Sequence, residues 1–96
     1  LGMSKMGQNV ENNQNLHLTV FSKHPEKMKL EDVVAELEKA CEVVNLKRFD
    51  EASDFVESSF LIEFASFEKL TAVKQALQAM DKDVKISFLD NKGIVG

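Results

Sequence analysis

The chain of 96 residues has one cysteine, one proline and no long apolar run. With Cys41 alone, an internal disulfide and a zinc site built from cysteines are both excluded, and the composition suits a reducing compartment. No apolar stretch approaches the roughly 20 residues that span a bilayer. Residues 1 to 15 lack the apolar centre of a secretory signal. Positive charge is in the minority, with 12 Lys and Arg against 16 Asp and Glu and a net charge of -4. That balance favours solubility and works against affinity for phosphate backbones, so no nucleic-acid partner is expected.

Motifs that carry chemistry are equally scarce. There is no glycine-rich phosphate loop, no serine elbow and no helical histidine pair for zinc. His17 and His24 with Glu26 show no spacing of a known ligand set, so neither a metal nor a cofactor is expected. The carboxylates Asp50, Glu51, Asp54 and Glu57 lack the glycine turn and ordered spacing of a calcium loop. Cys41 lies on an apolar helical face and reads as a small buried hydrophobe. A polar cluster of His17, Asn45 and Glu63 is all the sequence offers an enzyme. The expectation is a non-catalytic domain.

What the chain does have is periodicity. From Val56 to Ala65, Val56, Ser58, Phe60, Ile62 and Phe64 alternate with Glu57, Ser59, Leu61, Glu63 and Ala65, the pattern of a strand with one buried face. Ser66 stands where a side-chain oxygen can cap a helix, and Glu68 places negative charge near the positive end of its dipole. Leu70, Val73, Leu77 and Met80 then recur at steps of three and four. Asp81, Lys82 and Asp83 break the pattern, and Val84, Ile86 and Phe88 alternate as a further strand that stops at Asp90, Asn91 and Gly93.

The first half repeats this plan. Leu16, Leu18 and Val20 alternate with His17, Thr19 and Phe21 as a first strand. Pro25 keeps His24 out of helical geometry, so residues 22 to 29 form a loop. A helix follows from about Leu30 through Val33, Val34, Leu37 and Cys41. Residues 43 to 49 read as a second strand, although CEVVNL equally fits another helical turn. The acidic run of residues 50 to 58 reads as a hairpin loop.

The order β, α, β, β, α, β, with right-handed crossovers and a central hairpin, predicts an α+β ferredoxin-like sandwich. Its four-stranded antiparallel sheet carries both helices on one face, with the first and third strands central. The alternative is an open α+β sheet with another strand order. The expected core is Leu18, Val20, Val33, Leu37, Leu46, Phe60, Ile62, Phe64, Leu70, Val73, Leu77, Ile86 and Phe88. The other sheet face would then carry Phe21, Phe49, Leu61 and Leu89 outward, large apolar residues that are covered either by loops and the N-terminal tail or by a partner, unless they are merely scattered. Self-association through this face is the expected interaction.

Residues 1 to 15, rich in Asn and Gln without periodicity, read as a flexible linker or tag remnant, and residues 16 to 96 as the domain. The first residue is Leu1 rather than methionine, which suggests a processed fragment with sequence missing upstream.

Over residues 16 to 90 the rhythm SSFLIEFASFEKLTAVKQALQAMDKDVKISFLD resembles ACT-like regulatory domains, and among them the soluble tails of bacterial membrane proteins of the MgtC type or a related uncharacterised family. The resemblance implies a cytoplasmic regulatory or oligomerising domain, tethered to the inner membrane only through an upstream segment. In amino-acid-sensing ACT domains the turn after the first strand carries Asp, Pro and Gly; here Lys23, His24, Pro25 and Glu26 occupy it, and only the proline matches. A small-molecule sensor would use His24, Pro25 and Glu26.

Overall fold

The computed structural model describes residues 14 to 90. Their elements are β1 (Gln14–Ser22), α1 (Leu30–Ala40), β2 (Val43–Ala52), β3 (Phe55–Phe64), α2 (Phe67–Met80) and β4 (Lys85–Asp90). The strands form one sheet in the order β2-β3-β1-β4, and every pairing is antiparallel. This is the ferredoxin-like βαββαβ arrangement, with β1 and β3 inside and β2 and β4 at the edges. The proposed linker lies outside the described residues apart from Gln14 and Asn15, which already pair with Phe64 and Glu63 in β1.

Both helices lie on one face of the sheet. Val33 and Leu37 of α1 and Leu70, Val73 and Leu77 of α2 close over Leu18, Val20, Phe60, Ile62 and Phe64. All ten are buried, each apolar side chain contributing roughly 1.5–3 kcal/mol when withdrawn from water. Met28, Cys41 and Val56 complete the core, while Ile86 and Phe88 on the edge strand β4 are half-buried against it. Leu46, expected inside, is 45% exposed because it lies on edge strand β2.

Helix boundaries follow local chemistry. The α1 helix ends at Ala40, so CEVVNL does not prolong it, and the amide of Glu42 already bonds to the Glu63 carbonyl at 2.8 Å. Ser66 does hold the N-cap position of α2, in extended geometry, but its hydroxyl makes no capping bond. Its carbonyl instead accepts from the Lys69 amide at 3.1 Å.

A register shift between Leu46 and Arg48 is the main departure from expectation. Before it, Leu46 pairs with Phe60; after it, Arg48 pairs with Ser59 and Phe49 with Ser58. Lys47 is the extra residue of a β-bulge, and one extra residue exchanges the faces of all that follow. Phe49 therefore lies on the helix side, in phase with buried Ser58, and not on the open face. There it lines a shallow cavity of about 290 Å³ with Met28, Leu30 and Val56. The bulge also lets pairing continue through Asp50–Glu57 and Glu51–Val56 to Ala52–Phe55. The expected loop of residues 50 to 58 thus shrinks to Ser53 and Asp54.

Candidate functional site

Two places merit chemical attention, the open sheet face and the junction of two loops at the sheet's end. On the open face the register sets residues in rows across the strands. Leu89, His17, Leu61 and Asn45 form one row, Ser87, Thr19, Ser59 and Arg48 the next, and Lys85, Phe21, Glu57 and Asp50 a third. Among the described residues no helix covers them.

Apolar surface lies at both ends of this face. Leu89 is 56% exposed beside His17, with half-buried Leu61 on the other side. Phe21 stacks on Phe55, their ring centroids 5.9 Å apart and their planes 23° from parallel. Thr19 and Ser59 share a hydroxyl hydrogen bond of 3.2 Å between these ends. A depression of about 280 Å³ runs along Thr19, Phe21, Glu57, Lys85 and Ser87. Arg48 donates to the Asp50 carboxylate at 2.7 Å; that bond, then the charges of Asp50 and Glu57, hold the exposed guanidinium's pKa above its ordinary value.

The interface residues proposed from sequence therefore divide. Phe21, Leu61 and Leu89 share the open face, whereas Phe49 faces the other way. Phe55, which joins Phe21 there, was hidden in the sequence by being read as loop. The polar trio also separates, because Leu61 stands between His17 and Asn45, and Glu63 sits a row away between Asn15 and Val43.

At the junction, the β1–α1 loop meets the turn between α2 and β4. Ser22 closes β1 on its buried phase, and its hydroxyl donates to the Asp81 carboxylate. Asp81 is only 2% exposed. Its other oxygen accepts the Asp83 amide at 3.0 Å, and the Ser22 oxygen accepts the His24 amide at 2.9 Å. The Ser22 hydrogen bond is the largest influence on Asp81 and holds its pKa below the usual value, followed on the same side by the Asp83 amide and by the charges of His24 and Lys27; burial opposes them.

His24, Pro25 and Glu26 are all in this loop. The imidazole Nδ1 of His24 lies 3.9 Å from Glu26 Oε2 and its Nε2 lies 3.8 Å from Asp83 Oδ2. The loop folds on itself, since the amides of Lys27 and Met28 donate to the carbonyls of His24 and Pro25 at 2.9 and 3.3 Å. Those two amides are consumed within the loop rather than turned to a ligand. Sequence reasoning missed Ser22, Asp81 and Asp83. A signal was there, because Asp81 follows Leu77 by four positions and so continues the buried stripe of α2.

Atoms able to ligate a metal converge here. One each from His24, Asp81 and Asp83 lie within 4.8 Å of one another. By contrast Cys41 is isolated in the core, where burial pushes its thiol pKa up to about 11 and leaves it protonated and unreactive.

No protein-family model matches the sequence, and no curated protein does. Solved structures do match in fold. A de novo designed protein, Foldit4, shares 12% identity at a TM-score of 0.52, over 79% of this chain and 92% of that one. A protein described as an aminohydrolase from methicillin-resistant Staphylococcus aureus shares 11% identity at 0.51, over 81% of this chain and 29% of that one. A dinuclear metal-binding peptidase of the M20 family from Bacillus subtilis shares 10% identity at 0.52, over 82% of this chain and 26% of that one. The chain thus spans under a third of the two larger proteins. At such identities the likeness is one of fold alone.

Proposed function

We propose that this domain is a non-catalytic association module that pairs with a second copy of itself through the open sheet face. The observation that carries the reading is the apolar side chains on that face that no described helix covers, exposed Leu89 with half-buried Leu61 at one end and the half-buried Phe21–Phe55 stack at the other. Charge on the same face is self-complementary. Arg48 and Lys85 lie among Asp50, Glu57 and Glu63, so a two-fold arrangement can set each cation of one copy against a carboxylate of the other. Apolar burial would drive such pairing and the charges would fix its register.

In its wider form the proposal makes the unit a regulatory or oligomerising tail of a larger bacterial membrane protein, as the ACT-like rhythm suggests. Among the described residues no helix is long and apolar enough to cross a membrane, so attachment would have to come from elsewhere. A full-length gene without membrane-spanning segments would remove this wider form and leave the association module standing.

Sedimentation equilibrium of the full chain over a wide concentration range tests the core of the proposal. A dimer is expected. Leu61→Lys and Leu89→Lys should each weaken it at least about tenfold, the equivalent of about 1.4 kcal/mol, while circular dichroism reports an intact fold. Phe49→Lys, on the opposite face, should leave the dimer unchanged. A monomer at every concentration, or a dimer indifferent to both leucine substitutions, would overturn the reading.

A further inference from the structure

We infer that His24, Asp81 and Asp83 form a binding site for a divalent cation of the zinc type, held between the β1–α1 loop and the turn that precedes β4. The site uses none of the open-face residues and is independent of self-association.

Its components come from segments far apart in sequence, and the fold brings one ligating atom from each within 4.8 Å of the others. The gap between His24 Nε2 and Asp83 Oδ2, 3.8 Å, is too wide for a hydrogen bond between them. It is close to the spacing of about 3.4 Å that a tetrahedral ion with bonds of about 2.0–2.1 Å imposes on two of its ligands. A few tenths of an ångström would close that pair, and closing the whole set from its 4.8 Å span would take a movement of about 1 Å of the loop and turn side chains toward Asp81. The remaining ring nitrogen of His24 lies 3.9 Å from the Glu26 carboxylate, also beyond hydrogen-bond distance, so Glu26 supplies charge nearby and not a fixed second-shell bond.

The buried member is also prepared. Asp81 is fixed in place by the Ser22 hydroxyl, which donates to one carboxylate oxygen, and by the Asp83 amide, which donates to the other. An imidazole with two carboxylates gives a dication a neutral inner set and leaves a fourth position for water. The nitrogen ligand selects against magnesium and calcium, which prefer oxygen alone.

The test uses the full chain stripped with chelator and then dialysed, titrated calorimetrically with Zn²⁺, with Co²⁺ absorption to report tetrahedral coordination. One ion per chain is expected. His24→Gln and Asp83→Asn should each weaken binding at least tenfold, and His17→Gln, the control at the other histidine, should not change it. Asp81 is left intact because its burial makes any substitution a test of folding as well. Circular dichroism of the metal-free variants separates loss of ligand from loss of fold. Failure to take up either ion, uptake unaltered by both site substitutions, or Mg²⁺ bound as tightly as Zn²⁺ would overturn the inference. A strictly monomeric chain that still binds one Zn²⁺ through His24 would uphold it while removing the association proposal.

Discussion

The two helices present the same buried spacing and end in opposite chemistry. Leu30, Val33, Leu37 and Cys41 run along α1, and Leu70, Val73, Leu77 and Asp81 run along α2. Each series finishes on a buried C-cap in extended geometry, whose amide donates to the carbonyl of Leu37 or Leu77 at 2.8 or 3.2 Å. At one end the slot holds a thiol among apolar neighbours. The other holds a carboxylate. Burying an ionised group is costly unless it is paired or hydrogen-bonded, and only the second end receives a hydroxyl from a neighbouring strand. One position in the architecture can thus carry a hydrophobe or a charge, and the residue opposite decides which.

Truncation in the shared part of the stripes should have the largest effect and be similar in both helices. Leu37→Ala and Leu77→Ala should each cost about 2–5 kcal/mol, the range for cavities in cores, read as a drop in urea midpoint. If one leaves the midpoint in place, that helix does not bury the face assigned to it.

Removing the partner of the charged cap comes next. Ser22→Ala leaves a buried carboxylate short of a hydrogen bond and should cost about 1–3 kcal/mol at neutral pH. The pH dependence sharpens this. Because Asp81 is held below its ordinary pKa, the unfolded chain takes up the proton first as the pH falls. Its contribution is therefore complete above an unfolded pKa of about 3.9 and is lost as the pH drops through the lower folded value. Stability curves of wild type and Ser22→Ala should converge on acidification, and parallel curves would mean that the hydroxyl does not act through Asp81.

The apolar cap should be the mildest site. Cys41→Ala removes one buried atom and should cost about 0.5–1.5 kcal/mol, comparable to loss of a methyl group. Its cost should not vary across the same acid range, and the native thiol should resist alkylation until the chain unfolds. Rapid labelling of the folded protein would contradict its burial.

Most of the architecture was legible because it rests on periods that side chains advertise. Alternation from Leu16 to Val20 and from Val56 to Phe64, with the steps of three and four along α2, fixes which surfaces face the core. The bulge at Lys47 was not legible. Adding a residue to a strand alters the phase downstream without changing composition, so Phe49 kept an apparent alternation that assigned it to the wrong face. Pairing beyond the bulge was obscured in the same way, since Asp50, Glu51 and Asp54 have the polarity of a loop. The junction was harder still. Asp81 and Asp83 read as helix breakers, and only the closure of the sheet shows that Asp81 meets Ser22. A buried polar pair leaves no periodic trace because its justification lies in a residue distant along the chain.

Strand order has a further consequence for a chain made from one end. Among the described strands β1 is made first and becomes an inner strand, with β3 filling one of its edges and β4 the other. Leu16 waits for Ile62 on one side and Asp90 on the other. Until β3 is made both edges of Gln14–Ser22 remain open to other extended segments, and one stays open until β4 follows, the condition in which nascent chains aggregate or are held by chaperones. The order of translation thus leaves the centre of the finished sheet unprotected for the longest time.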